Sequence, residues 1–151
     1  APGKPAIDEE KAMAMVDTAM ARGINYYDTA WFYHERTSEA FMGKALSRFD
    51  RDSYYLATKM PVSILEKEED IPTIFAKQLE NLQTDHFDFY LCHALSASNF
   101  EKMESMGVYE FLKQKKEEGD QKIFFHRDTP FYFLDSKMNQ ESMVFANDFH
   151  F

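Results

Sequence analysis

The feature that most constrains this chain is the alternation of strand-like and helix-like segments along its length. Strand-like segments begin near residues 24, 54, 87 and 122, about 30 to 35 residues apart, with helix-like segments between them. This is the period of a βα unit, whose right-handed crossovers make consecutive strands parallel. The sequence therefore predicts an α/β fold, a partial (β/α)₈ barrel with about four to five parallel strands and helices outside.

The helix-like segments have recognisable ends. Asp8 can cap a first helix, and Gly23 can end it. A second helix is predicted over 38–48, and Pro72 fits the first turn of a third. The last helical stretch should break at Gly107, because glycine is a poor residue for a helix interior. Each predicted strand thus alternates with a helix.

Composition narrows the class of protein. The chain has 151 residues, of which 44% are hydrophobic, and a formal net charge of −9. No apolar run reaches the roughly 18–20 residues of a membrane span, and the acidic balance disfavours nucleic acid or an anionic membrane as partner. The single cysteine, Cys92, excludes an intrachain disulfide, which suits a cytoplasmic protein. We expect one cytoplasmic domain that binds neither nucleic acid nor membrane.

Four polar residues stand where strands pass into loops. Asp28 ends the first predicted strand, Tyr33 lies in the following loop, and Lys59 and His93 follow the next two strands. In a (β/α)₈ barrel the chemistry gathers at the C-terminal ends of the strands. These residue types form a proton-donating set for the reduction of a carbonyl compound.

Several motifs carry a resemblance to a known family. The chain resembles the aldo-keto reductases, most closely the bacterial branch in which a ferredoxin-like iron–sulfur extension follows the barrel. The match is good over 1–122, and 123–151 is a divergent tail. The resemblance rests on these segments: Gly23-Ile24-Asn25-Tyr26-Tyr27-Asp28-Thr29-Ala30, Tyr33, Ser38-Glu39, Gly43-Lys44-Ala45-Leu46, Ala57-Thr58-Lys59, and 79–93.

The resemblance assigns a role to each of the four residues. It implies NADPH-dependent reduction of a small aldehyde or ketone, with Tyr33 as the proton donor. A phenol ordinarily titrates near ~10, so Lys59 would supply the positive charge that eases proton release. Asp28 would hold Lys59 by an ion pair, and His93 would orient the carbonyl oxygen. Each residue alone has an ordinary structural interpretation; their order and placement favour the catalytic one.

Other residues near this set have open interpretations. Trp31 and Phe32 are predicted walls of an apolar substrate pocket, with packing against the barrel as the alternative. Cys92 should point away from His93, since alternate strand residues face opposite sides, and so serve as packing.

No metal site is predicted from the sequence. The remaining histidines lack metal-ligand spacing: His34, His86, His126 and His150. One cysteine cannot ligate an iron–sulfur cluster, which needs four thiolates.

The chain also departs from the family it resembles. A complete barrel typically needs ~250 residues. The resemblance therefore implies a truncated barrel that lacks the first strand and the late strands that hold the adenosine phosphate of the cofactor. Beyond Lys122 the match fades, although 122–125 and 142–149 could be strands.

These departures leave alternatives to an active enzyme. The chain could be an inactive derivative of a reductase, or an incomplete portion of a full-length one. It could also be a non-catalytic half-barrel module for binding or assembly, with a homo-oligomer covering its exposed sheet edges.

Overall fold

A parallel four-stranded sheet forms the centre of the fold. A computed structural model describes residues 7–118 and 121–123 of the chain. The strands lie in chain order and all pair in parallel. They are β1 (Tyr26–Asp28), β2 (Tyr55–Met60), β3 (Phe87–Cys92) and β4 (Gln121–Ile123). The predicted partial barrel of parallel strands is confirmed.

Five α-helices accompany the sheet in the described part of the chain. They are α1 (Glu9–Ala21), α2 (Ser38–Leu46), α3 (Asp70–Leu82), α4 (Ala97–Ser105) and α5 (Val108–Glu117). Asp8 caps α1 as predicted, since its Oδ1 accepts a hydrogen bond of 3.1 Å from the amide of Lys11. Gly107 separates α4 from α5 with a φ of 71°, a conformation that favours glycine. None of the helices in the described part of the chain is long and apolar enough to span a membrane.

The strand boundaries differ most from the predicted ones at the start of β1 and at the end of β2. β1 begins two residues later than predicted, because the amide of Ile24 still donates to the carbonyl of Ala19 and closes α1. β2 runs on to Met60, since Lys59 and Met60 pair with Leu91 and Cys92 of β3. The predicted strand at 142–149 and the last two residues of 122–125 lie outside the described residues.

The two faces of the sheet have different surroundings. We call one the helix-covered face; its side chains are buried under α2 and α3 and comprise Tyr27, Leu56, Thr58, Met60, Tyr90 and Cys92. We call the other the open face; it is defined by Tyr26, Asp28, Tyr55, Lys59 and Phe89. Tyr26 and Tyr55 are 44% and 42% exposed, and both rings contact Phe89.

Two contacts fix how the elements pack. Gly43 brings α2 against the backbone of α3, where an added Cβ would lie 2.8 Å from Leu82 Cα. At the N-terminal ends of β2 and β3, Arg51 forms a 2.7 Å ion pair with Asp88. The same carboxylate oxygen of Asp88 accepts the amide of Leu56, so one aspartate joins both strands.

Candidate active site

The four predicted site residues lie together at the C-terminal edge of the sheet. The Lys59 ammonium donates to Asp28 Oδ1 at 2.6 Å and to the backbone carbonyl of Thr29 at 2.9 Å. The Lys59 side chain is only 11% exposed, whereas that of Asp28 is 40% exposed. The ion pair therefore holds the ammonium group at a fixed place on β2, with the carboxylate on its solvent side.

Tyr33 and His93 complete the group. Lys59 Nζ lies 5.1 Å from the centroid of the Tyr33 ring, which is 40% exposed. The His93 ring meets the Tyr33 ring edge to face, with 5.8 Å between centroids. The amide of His93 donates to the carbonyl of Met60 at 2.9 Å, which continues the β2–β3 pairing one residue beyond β3. The imidazole is thus fixed beside the end of the strand that carries Lys59.

The loop after β1 carries Tyr33 and is anchored at its start. The Thr29 amide donates to the carbonyl of Ala57, and its hydroxyl shares a buried hydrogen bond of 2.8 Å with Ser38. Beyond this anchor, three successive residues, His34, Glu35 and Arg36, have positive φ angles of 47°, 55° and 70°. Residues other than glycine adopt this conformation rarely, and residues with such strained backbone conformations cluster at functional sites.

The two predicted pocket residues point in different directions. Phe32 contacts the His93 ring at a centroid distance of 5.8 Å and is 37% exposed, so it borders the site. Trp31 is half-buried and lines a shallow groove with Ile74 and Lys77 of α3. Their assignment as walls of a substrate pocket stays a prediction. The Arg36 guanidinium lies 5.9 Å from the ring centroids of both aromatic residues.

A buried polar network supports the site from the helix-covered face. Glu39 of α2 is 2% exposed, and its Oε1 accepts hydrogen bonds from the Thr58 hydroxyl at 2.7 Å and from Gln78 Nε2 at 2.6 Å. Gln78 also donates to the backbone carbonyl of Lys59 at 3.0 Å. Asn81 donates to the other oxygen of Glu39 at 3.3 Å. The strand that positions Lys59 is therefore fastened by side chains of both α2 and α3.

Tyr90 closes this network from β3. Its hydroxyl donates to Gln78 Oε1 at 2.5 Å. Burial, and to a lesser degree the nearby Cys92 and Glu39, raises the pKa of Tyr90 well above its usual value, so the hydroxyl stays a donor. Sequence reasoning assigned no role to Glu39 or Gln78. Gln78 carried a signal, since it stands on the apolar stripe of α3 between Phe75 and Leu82.

The remaining candidates for chemistry behave as packing residues. Cys92 is 2% exposed, and burial raises its pKa to about 12. A thiol in that state is inert as a nucleophile at neutral pH. Across residues 7–118 and 121–123, no three metal-ligating side chains from His, Cys, Asp or Glu cluster together.

Comparison with known proteins identifies the family. A sequence profile of the aldo/keto reductase family matches residues 2–123, and the chain belongs to that family. An L-galactose dehydrogenase of Arabidopsis thaliana is 29% identical over 116 residues, which cover 74% of this chain and 36% of the relative. A D-galacturonate reductase of Fragaria ananassa is 33% identical over 96 residues, covering 59% and 29%.

Solved structures of the family share the fold. An aldo/keto reductase from Brucella melitensis superposes with a TM-score of 0.64 at 27% identity, over 82% of this chain and 47% of that one. An aldo-keto reductase from Bacillus halodurans has a TM-score of 0.64 at 30% identity, over 82% and 43%. The chain therefore spans less than half of these structures and about a third of the two curated relatives.

Proposed function

We propose that the site carries out the NADPH-dependent reduction of a small aldehyde or ketone, with Tyr33 as the proton donor. The observation that supports this most directly is the contact series from Asp28 through Lys59 and Tyr33 to His93 along one edge of the sheet. Membership of a family of reductases supports the same class of reaction.

The geometry indicates what each side chain would do. The exposed hydroxyl-bearing ring of Tyr33 can reach a bound carbonyl from solvent, while Lys59 is fixed behind it. As the phenol gives its proton to the carbonyl oxygen, the ammonium would stabilise the negative charge that forms on the phenolate. His93, held by its backbone, would orient the carbonyl oxygen toward Tyr33.

The described residues fit the reacting end of a nicotinamide cofactor. The donors of Tyr33 and Lys59 converge at an open edge of the sheet, beside the exposed ring of Phe32 and the half-buried His93. When bound, the reduced nicotinamide supplies the hydride. The choice of NADPH over NADH rests on the family resemblance. Titration of each cofactor, followed by the fluorescence of Trp31, the single tryptophan, tests both binding and preference.

The decisive experiment replaces the proton donor. Tyr33→Phe removes only the phenolic hydroxyl, so the protein should fold normally while kcat/KM for carbonyl reduction falls by ~10²–10⁴-fold. Steady-state oxidation of NADPH with an aromatic aldehyde measures the change. Tyr26→Phe, a partly exposed tyrosine on the same face, is the matched control and should keep its activity. Equal turnover by Tyr33→Phe and the wild type would exclude the assignment.

A second candidate function is that of a non-catalytic assembly module. It is favoured by the exposed aromatic rings of Tyr26 and Tyr55 on the open face, because natural proteins rarely leave such surfaces uncovered. In that case a homo-oligomer would cover the open face. Light scattering together with an assay of carbonyl reduction separates the two. The assembly module should be oligomeric and inactive, whereas a reductase should turn over substrate.

A further inference from the structure

We propose that Arg36 forms an anion subsite beside the reducing site, and that the substrate carries a carboxylate as well as its carbonyl group. That the bound molecule is a substrate rests on the proposed function, whereas the anion subsite can be tested by binding without turnover.

Arg36 is held in place without being neutralised. Its guanidinium carbon lies 5.9 Å from the ring centroids of both Trp31 and Phe32, within the range of a cation–π contact. Among the described residues it has no carboxylate partner, and its side chain is exposed. The planar donors of the guanidinium therefore stay available for a bidentate contact with an incoming oxyanion.

The position of Arg36 relates it to the reacting group. The ring of Phe32 contacts both groups, since its centroid lies 5.9 Å from the guanidinium carbon and 5.8 Å from the centroid of the His93 imidazole. A small molecule whose carbonyl oxygen lies between Tyr33 and His93 would extend past Phe32 toward Arg36. Because one aromatic ring contacts both groups, the arrangement suits a compound with a carbonyl at one end and a carboxylate at the other.

The other charges near the site do not offer the same contact. Lys59 is paired with Asp28 at 2.6 Å and is largely buried. The net charge of −9 makes the field of the whole chain repel anions, so a preference for a carboxylate must come from a local cation. The positive φ of Arg36, at 70°, gives this cation an orientation that an ordinary loop residue would not have.

The test compares two aldehydes of similar shape, 4-carboxybenzaldehyde and 4-methylbenzaldehyde. Binding is followed by NMR through the indole N–H signal of Trp31, the single tryptophan, whose ring contacts Arg36. The wild type should bind the carboxylated compound roughly tenfold more tightly, the effect of one charge-assisted contact. Arg36→Gln should bring the two affinities to within about twofold. The preference should also shrink as salt is added.

Arg48→Gln is the matched control. Arg48 also lies over an aromatic ring, 5.3 Å from the centroid of Phe49, but it forms an ion pair of 2.6 Å with Asp17. This variant should keep the wild-type preference. Equal binding of both aldehydes by the wild type, an unchanged preference in Arg36→Gln, or no binding of either compound would overturn the proposal.

Failure of the subsite and failure of the reductase give different results. A carboxylate preference that Arg36→Gln abolishes, in a protein without turnover, supports the subsite and removes the reductase. Reduction of both aldehydes with equal kcat/KM, together with equal binding, removes the subsite and leaves the reductase.

Discussion

The two faces of the sheet are made by alternate residues of the same strands, yet one face buries its polar groups and the other leaves them at the solvent edge. On the helix-covered face the buried polar side chains of the Glu39 network have partners: Thr58 and Gln78 donate to Glu39, and Tyr90 donates to Gln78. On the open face, Asp28 and Lys59 pair beside exposed aromatic rings.

The difference shows where stability and chemistry are separated in this fold. A buried polar group without a partner costs free energy, so the helix-covered face can change little. Polar groups at the solvent edge of the open face can exchange a protein partner for water or a ligand. Substitutions of comparable size should therefore have unequal effects on the two sides.

The largest effect on stability is expected at Gly43, where α2 contacts α3 beside the helix-covered face. Gly43→Ala would place a Cβ against the backbone of Asn81 and Leu82, which cannot move aside as a side chain would. We expect a loss of about 3 kcal/mol in the free energy of unfolding, measured by urea denaturation. Gly23→Ala is the control, because open space surrounds that position and only its φ of 83° opposes alanine. Similar losses in both variants would show that α2 and α3 can separate freely.

A smaller effect is expected from removing one hydroxyl. Tyr90→Phe takes away the donor to Gln78 Oε1 inside a fully buried network. The free energy of unfolding should fall by about 1–3 kcal/mol, because the acceptor left behind has no access to water. Tyr26→Phe makes the same change on the open face and should cost less than about 0.5 kcal/mol. Equal costs would break the contrast between the faces.

The smallest effect is expected from the titration of Cys92. Burial raises the pKa of this thiol to about 12 from an ordinary value of 9.0, so the unfolded chain loses its proton first. The contribution of the protonated Cys92 thiol to the free energy of unfolding is complete at neutral pH and is lost as the pH rises from about 9 toward 12. Relative to Cys92→Ala, the wild type should lose about 1 kcal/mol of unfolding free energy between pH 8 and 10. A flat difference between the two proteins would contradict this.

Much of the fold could be predicted because local signals agreed with one another. The βα period, the Asp8 cap and the break at Gly107 all depend on residues close in sequence. The C-terminal end of β2 was predicted less well, because it depends on tertiary pairing. Lys59 and Met60 are strand residues only because β3 lies beside them.

The candidate site was predictable only in part. Asp28, Tyr33, Lys59 and His93 could be grouped because parallel strands deliver their C-terminal ends to one edge. The network around Glu39 could not be predicted, since its members come from two helices and two strands. Arg36 gave no signal either, because its contacts depend on a loop conformation that L-residues seldom adopt.

The ion pair between Arg51 and Asp88 has a consequence at the opposite end of the strands. By tying the start of β2 to the start of β3, it sets which residue of one strand lies beside which residue of the other. A slip of a single residue would turn Lys59 from the open face into the hydrophobic core. The ion pair of Arg51 with Asp88 therefore fixes the alignment of the Lys59 ammonium with the His93 imidazole, although it lies at the opposite end of the strands from the site.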